Sequence, residues 1–249
     1  MKTLKSHINE ALKIGKNLSK FSTYSCRPTS NEELKSIIYE RISKEGPNCD
    51  LNDIDVSQID DISGVFFNTK FNGNISKWDT SNVKDMWGVF SYSTFNGDIS
   101  DWDTSKVEHM ASMFKESHFN GDISGWDTSK VKNMGEMFYK SKFNRDISNW
   151  NTSNVENMYR MFFSAAFDRD ISKWNVSKVK NMSGMFLRTK FNSDISNWDV
   201  KNVKDMSNMF YGTIFNQDIS NWKINKDCNV IGMFDDCPIE EEYKPKLPR

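Results

Sequence analysis

Apolar and polar positions along most of this chain repeat with a period of 24 residues. The stretch FNGDISDWDTSKVEHMASMF at residues 95–114 returns as FNGDISGWDTSKVKNMGEMF from Phe119 and FNRDISNWNTSNVENMYRMF from Phe143. Phe71, Phe95, Phe119, Phe143, Phe167, Phe191 and Phe215 form one column, and Trp78, Trp102, Trp126, Trp150, Trp174, Trp198 and Trp222 another. Further columns run from Ile75 to Ile219, through Ile99, and from Met86 to Met206, through Met110; the Phe that closes each unit runs from Phe90, through Phe114, to Phe234. Self-similarity at a fixed period marks a solenoid, in which each unit buries its apolar face against its neighbours. Within a unit, Met110, Met113 and Phe114 stand at i, i+3, i+4 and predict about two turns of helix. The segment DISDWD predicts a short strand, which would pair from coil to coil. The expected fold is therefore an α/β solenoid of about seven such coils. Because strands pack closer than helices, the stack should curve with its strands on the inner side.

The polar columns carry a second message. Asn72, Asn96, Asn120, Asn144, Asn192 and Asn216 follow the Phe column, with Asp168 as the exception. A stacked, buried amide there would satisfy turn backbone between coils. Asp98, Asp122, Asp146, Asp170, Asp194 and Asp218, headed by Asn74, form an acidic column. A second, after the Trp, mixes Asp79, Asp103, Asp127 and Asp199 with Asn151 and Asn175. A calcium ladder and turn capping both explain such columns. Capping is preferred, because the extra carboxylates of a calcium cage do not recur in step. The ends differ from the middle. Ser30 and Glu33 form a capping box that opens a helix through about Lys44, ended by Gly46 and Pro47; its stripe Leu34, Ile37, Ile38 and Ile42 should seal the first coil. Leu4, Ile8 and Leu12 predict a further amphipathic helix in the first twenty residues, packed on the cap or docking a partner. Asp227 in a Val column suggests that the stack stops there. The expected organisation is a helical segment and cap at 1–50, the solenoid at 51–234 and a cap and tail at 235–249.

Composition fits a thin, elongated core. Of 249 residues only 37% are hydrophobic, but 18 Phe and 8 Trp deliver burial in large units. Mean hydropathy is −0.68. A net charge of −1 gives no global field towards nucleic acid or an acidic membrane. Cys26, Cys49, Cys228 and Cys237 form no CxxC pair, and no apolar run is long enough for a signal peptide core or a membrane span. His7, His109 and His118 stand in columns that otherwise hold Asn or unrelated residues. Neither a phosphate loop nor a GxSxG or HExxH motif is present. No catalytic residue, metal site or cofactor is expected, since an active site breaks symmetry and the Asp and Ser columns keep it.

The repeated motif, over residues 52–234, resembles the bacterial BspA-family leucine-rich-repeat surface proteins, whose repeat also occurs in mycoplasma lipoproteins and some phage-encoded proteins. The lead-in TSNEELKSIIYERISKEGPNCDLNDIDVSQIDDIS resembles theirs too. The resemblance implies a leucine-rich-repeat-like fold and a role in adhesion or protein binding. Family members are commonly exported. With no export signal or lipobox cysteine visible, the expectation here is a cytoplasmic or phage-particle protein.

If the constant columns are engaged in stacking, partner discrimination falls to positions that vary between coils. On the expected strand face these are Lys77, Asp101, Asn149, Lys173 and Asn197; on the helix side they are Trp87, Tyr159 and Arg160. Trp87 is either exposed or packed against the cap, because its column otherwise holds Ala111, Gly135, Tyr159, Ser183 and Ser207, where most copies are small. The leading expectation is a non-catalytic protein-binding module. The alternatives are an architectural part docked through its N-terminal helix, or a carbohydrate-binding surface that uses the Trp column. Buried Trp102, Trp126 and Trp150 are the reading preferred for that column.

Overall fold

A computed structural model describes residues 24–248. The helix expected in the first twenty residues lies outside them. Helix α1, Asn31–Glu45, begins as the capping signal predicts: Ser30 Oγ accepts from the Glu33 N–H. The reciprocal bond is displaced by one residue, with Glu33 accepting from the Thr29 N–H at 2.8 Å. Gly46, at φ +90°, ends the helix in a conformation that disfavours side chains. Leu34 and Ile38 are fully buried and join the core of the first coil. Asn31 Nδ2 donates to the carbonyls of Asp61 and Ser63, both at 3.1 Å. The α1 helix thus caps both the apolar end of the stack and part of its open backbone.

Beyond α1 the coils are neither helical nor stranded. The described residues hold one α-helix, one short 3-10 turn at Glu241–Tyr243, and isolated parallel bridges. Apart from Cys26–Ile54 and Asp50–Asn74 at the start of the stack, the bridges form a ladder of equivalent positions: Asp61, Asp85, His109, Asn133, Asn157, Asn181, Asp205 and Asn229. They fall just before the Met column, not in the DIS segment. This corrects the expected strand-plus-helix coil. In DISDWD, Asp98 Oδ1 accepts from the Ser100 N–H at 3.0 Å and the Trp102 N–H closes back on the Ile99 carbonyl at 3.2 Å. Two tight turns leave no extended run there.

The expected helix is replaced by linked turns for a definite reason. The N–H groups of Met110, Ser112, Phe114 and Glu116 donate to the carbonyls of Asn133, Gly135, Met137 and Tyr139 in the next coil, at 3.0, 2.8, 2.9 and 2.7 Å. Those of Met113, Lys115 and Ser117 close turns on the carbonyls of Met110, Ser112 and Phe114. Ser112 and Glu116 sit at φ 57° and 50°, which a right-handed helix does not permit. From Met110 to Ser117 every N–H but that of Ala111 is answered without a helix, and Met110, Met113 and Phe114 still point inward, all fully buried. The same column holds Gly64, Gly88, Gly184 and Gly232, also left-handed. Ser112→Val should therefore cost roughly 1–3 kcal/mol, because a β-branched residue is strained there, while Ser112→Gly should be close to neutral. Urea denaturation of the two variants checks this.

Packing follows from the columns. Each Trp indole N–H donates to a carbonyl of the preceding coil, from Trp78 to Leu51 at 2.9 Å through Trp126 to Ile99 at 3.1 Å to Trp222 on Ile195 at 3.2 Å. Phe, Ile, Trp and Met columns merge into one core from Leu34 to Ile239. Equivalent rings lie nearly parallel. Spacing is 5.5–5.9 Å in the Phe66–Phe234 column. It widens to 6.0–6.5 Å in the Phe71 column and to 6.1–6.4 Å between stacked Trp rings. Coils are closest where backbone bonds backbone directly, near the strand spacing of about 4.8 Å.

Candidate interaction surface

Two long faces flank the core. One, the Asx face, carries the Asn and Asp columns and the varied column Lys77, Asp101, Asn149, Lys173 and Asn197, all exposed. The Asn column is not the buried ladder expected from the sequence: these side chains are largely exposed, yet they do bond between coils. Asn72 Oδ1 accepts from the Asn96 N–H at 2.8 Å, and Asn96 Oδ1 accepts from Asn120 at 2.7 Å. Asp98, Asp122, Asp146 and Asp170 each accept the N–H two residues on, at 3.0, 2.9, 2.9 and 2.8 Å, which is the geometry of turn capping. Among the described residues no cluster of metal-ligating side chains forms. Arg145 and Arg169 follow Gly73, Gly97 and Gly121 in their column on this face and border an open cavity of about 560 Å³ with Asn120, Asp122 and Asn149.

Bonds from backbone and side chain of the following Ser hold the carboxyls of Asp98, Asp122 and Asp146 below the usual carboxylate range. A carboxyl depressed in the folded state stabilises above its unfolded pKa, and that contribution is lost as pH falls through the folded value. Stability should be flat from about pH 5 to 8 and decline below about pH 4. Replacing the three by Asn, the residue that stands at Asn74, should shrink the difference in melting temperature between neutral and acid conditions. The effect is small per site, because these groups are mostly solvated.

The second, or turn, face was foreseen only in part. Trp87 is 50% exposed among the described residues, and the expected first helix of the cap it could pack against lies outside them. Phe67 and Tyr92, 40% and 42% exposed, meet edge-on at 5.6 Å beside it. Further along, Tyr139 and Phe163 stack at 4.5 Å. The Arg160 guanidinium lies over the rings of both Tyr159 and Phe163, at 5.0 and 5.4 Å, and Lys115 lies over Tyr139 at 4.7 Å. Lys115 also pairs with Glu136 at 2.7 Å. The structure thus brings together Tyr159 and Arg160 with Lys115, Tyr139 and Phe163, and places Lys77, Asp101, Asn149, Lys173 and Asn197 away from them in one column of the Asx face. Sequence reasoning did not single out Phe67, Tyr139 and Phe163. Alternation along MFYKS and MFFSA was the available signal.

Trp102, Trp126 and Trp150 are 3–4% exposed, as are the other Trp of the column, so no indole face is offered to a sugar. Burial pushes the Cys49 thiol up and the Cys228 thiol up to about 11, which makes both poor nucleophiles at neutral pH. No helix among the described residues is long and apolar enough to cross a membrane.

No curated protein and no solved structure matches the chain. A family defined by the same repeat does match, in three overlapping segments at residues 33–147, 115–186 and 140–243. Together these span the α1 cap and the whole stack, so the chain belongs to the family described as Mycoplasma protein of unknown function, DUF285.

Proposed function

We propose that the protein is a non-catalytic interaction module that binds a protein partner across its turn face. The observation that carries this is the cluster of Tyr139, Tyr159, Arg160 and Phe163, held on a backbone bonded coil to coil. Aromatic and arginine side chains on a rigid support lose little entropy on binding and are enriched at hot spots. The positions differ between coils, so they are free to encode a partner, while the columns beneath are occupied by stacking. The resemblance to bacterial surface repeat proteins supports the same role, in adhesion or protein binding.

Arg160 offers a clean test, because it occupies a left-handed position, φ 48°, that is Gly184 in the next coil. Arg160→Gly should leave the melting temperature unchanged or slightly raised, since a non-glycine residue there is strained by about 1–2 kcal/mol. Combined with Phe163→Ser, it should abolish crosslinked capture of the native partner from host extract. A Lys77→Ser/Lys173→Ser variant should retain capture. Loss of capture in the second variant alone would move the site to the Asx face.

A further inference from the structure

The linked turns are polar along the stack. In every coil their outward N–H groups donate to the following coil, from Ile62, Gly64, Phe66 and Asn68 onwards to Met206, Asn208, Phe210 and Gly212. One end must then be left with acceptors and the other with donors. At the first coil, Asn31 Nδ2 answers the carbonyls of Asp61 and Ser63. At the last, the N–H groups of Val230, Gly232, Phe234 and Asp236 find no acceptor among the described residues. Equivalents of the Cys228 carbonyl, such as those of Lys180 and Lys204, accept from the following coil; Cys228 has no such donor among the described residues. This edge presents a row of four unpaired donors beside one unpaired acceptor, an open backbone edge. Around it stand exposed Asp227, Asp235 and Asp236, and Ile231 is 77% exposed.

We infer that this edge, at residues 229–236, is a docking site for a peptide that presents a row of carbonyls to it, as the linked turns of a following coil would, and carries lysine or arginine side chains. Addition of a strand to an open edge gives affinity through the main chain, and side-chain charge supplies selectivity. Three carboxylates without a matching cation in the turns select a basic segment. A second copy of this chain fits poorly. Tail to tail, donors would face donors; head to tail, Asn31 already fills two of the acceptors, the carbonyls of Asp61 and Ser63. The occupant is thus a different chain with a free row of carbonyls. This site is separate from the aromatic cluster of the turn face and does not rest on it.

The test uses the full chain and a capped synthetic peptide of alternating lysine and valine, with a glutamate-for-lysine counterpart. Amide hydrogen exchange is followed by NMR at Val230, Gly232, Phe234 and Asp236. With the lysine peptide at about ten times its dissociation constant, exchange at these amides should slow about tenfold. The glutamate peptide should leave it unchanged. The protection should vanish in Asp235→Lys/Asp236→Lys, a variant compatible with the fold because Lys115 and Lys140 occupy these columns in other coils. No slowing with either peptide would overturn the inference, and the aspartates would then serve only to keep the edge unpaired. Equal slowing with both peptides, or slowing that survives in the variant, would overturn it as well.

Discussion

Trp126→Ala should bring the protein close to unfolding. The side chain is 4% exposed and rests on Phe114 at 6.2 Å, so truncation opens a cavity worth about 3–5 kcal/mol. It also removes the indole donor that reaches the Ile99 carbonyl at 3.1 Å. Leaving that acceptor unpaired inside the core adds about 1–3 kcal/mol. Whole domains are stable by about 5–15 kcal/mol, so the loss consumes much of the total. Because Trp126 lies in the middle of a quasi-linear stack, unfolding should also lose cooperativity, the halves coming apart separately. Trp126→Phe should recover the packing but not the hydrogen bond, and lie between. Chemical denaturation monitored by circular dichroism distinguishes the three. Full stability in Trp126→Ala would mean that the column does not hold the coils together.

Much of this architecture was legible because stacking imposes identity. A column that must meet its own copies above and below tolerates little variation, and Phe95, Ile99, Trp102, Met110, Phe114, Trp126 and Trp150 are all buried where the period places them. The local conformation was less legible. Met110, Met113 and Phe114 satisfy the spacing of a helix, yet linked turns with left-handed residues at Ser112 and Glu116 also put all three inward. Spacing alone does not separate the two. Gly64, Gly88, Gly184 and Gly232, with Asn208, in the column of Ser112 were the signal for the turns, since glycine and asparagine favour positive φ. Asp85, His109 and Asn133 looked like polar variation, whereas they are the bridge positions; all but His109 in that column also cap the turn that follows, as Asp85 does for the Trp87 N–H at 2.8 Å. The turn face was half legible for the same reason. Trp87, Tyr159 and Arg160 stood out as departures from their columns, but Tyr139 and Phe163 could be placed beside them only once the turns were known.

The equivalence of the coils has a second large consequence. Removing residues 119–142 joins His118 to Phe143, a junction chemically like His118–Phe119, and deletes one coil of 24 residues. Every backbone donor of the coil before then meets the carbonyl of an equivalent coil, and both Phe columns and the Trp column close up in register. Such a protein should fold and unfold in one transition, with a denaturant slope reduced roughly in proportion to the surface lost. Removing residues 119–130 instead joins His118 to Val131 and leaves half a coil. The Phe and Trp columns then miss their partners, the turn ladder is broken, and the caps are held by separate fragments. Urea unfolding of this pair, followed by tryptophan fluorescence, is the most direct test of a stack built from interchangeable coils. A cooperative transition for the 24-residue deletion and none for the 12-residue deletion is the predicted result; loss of folding in both, or equal stability in both, would contradict it.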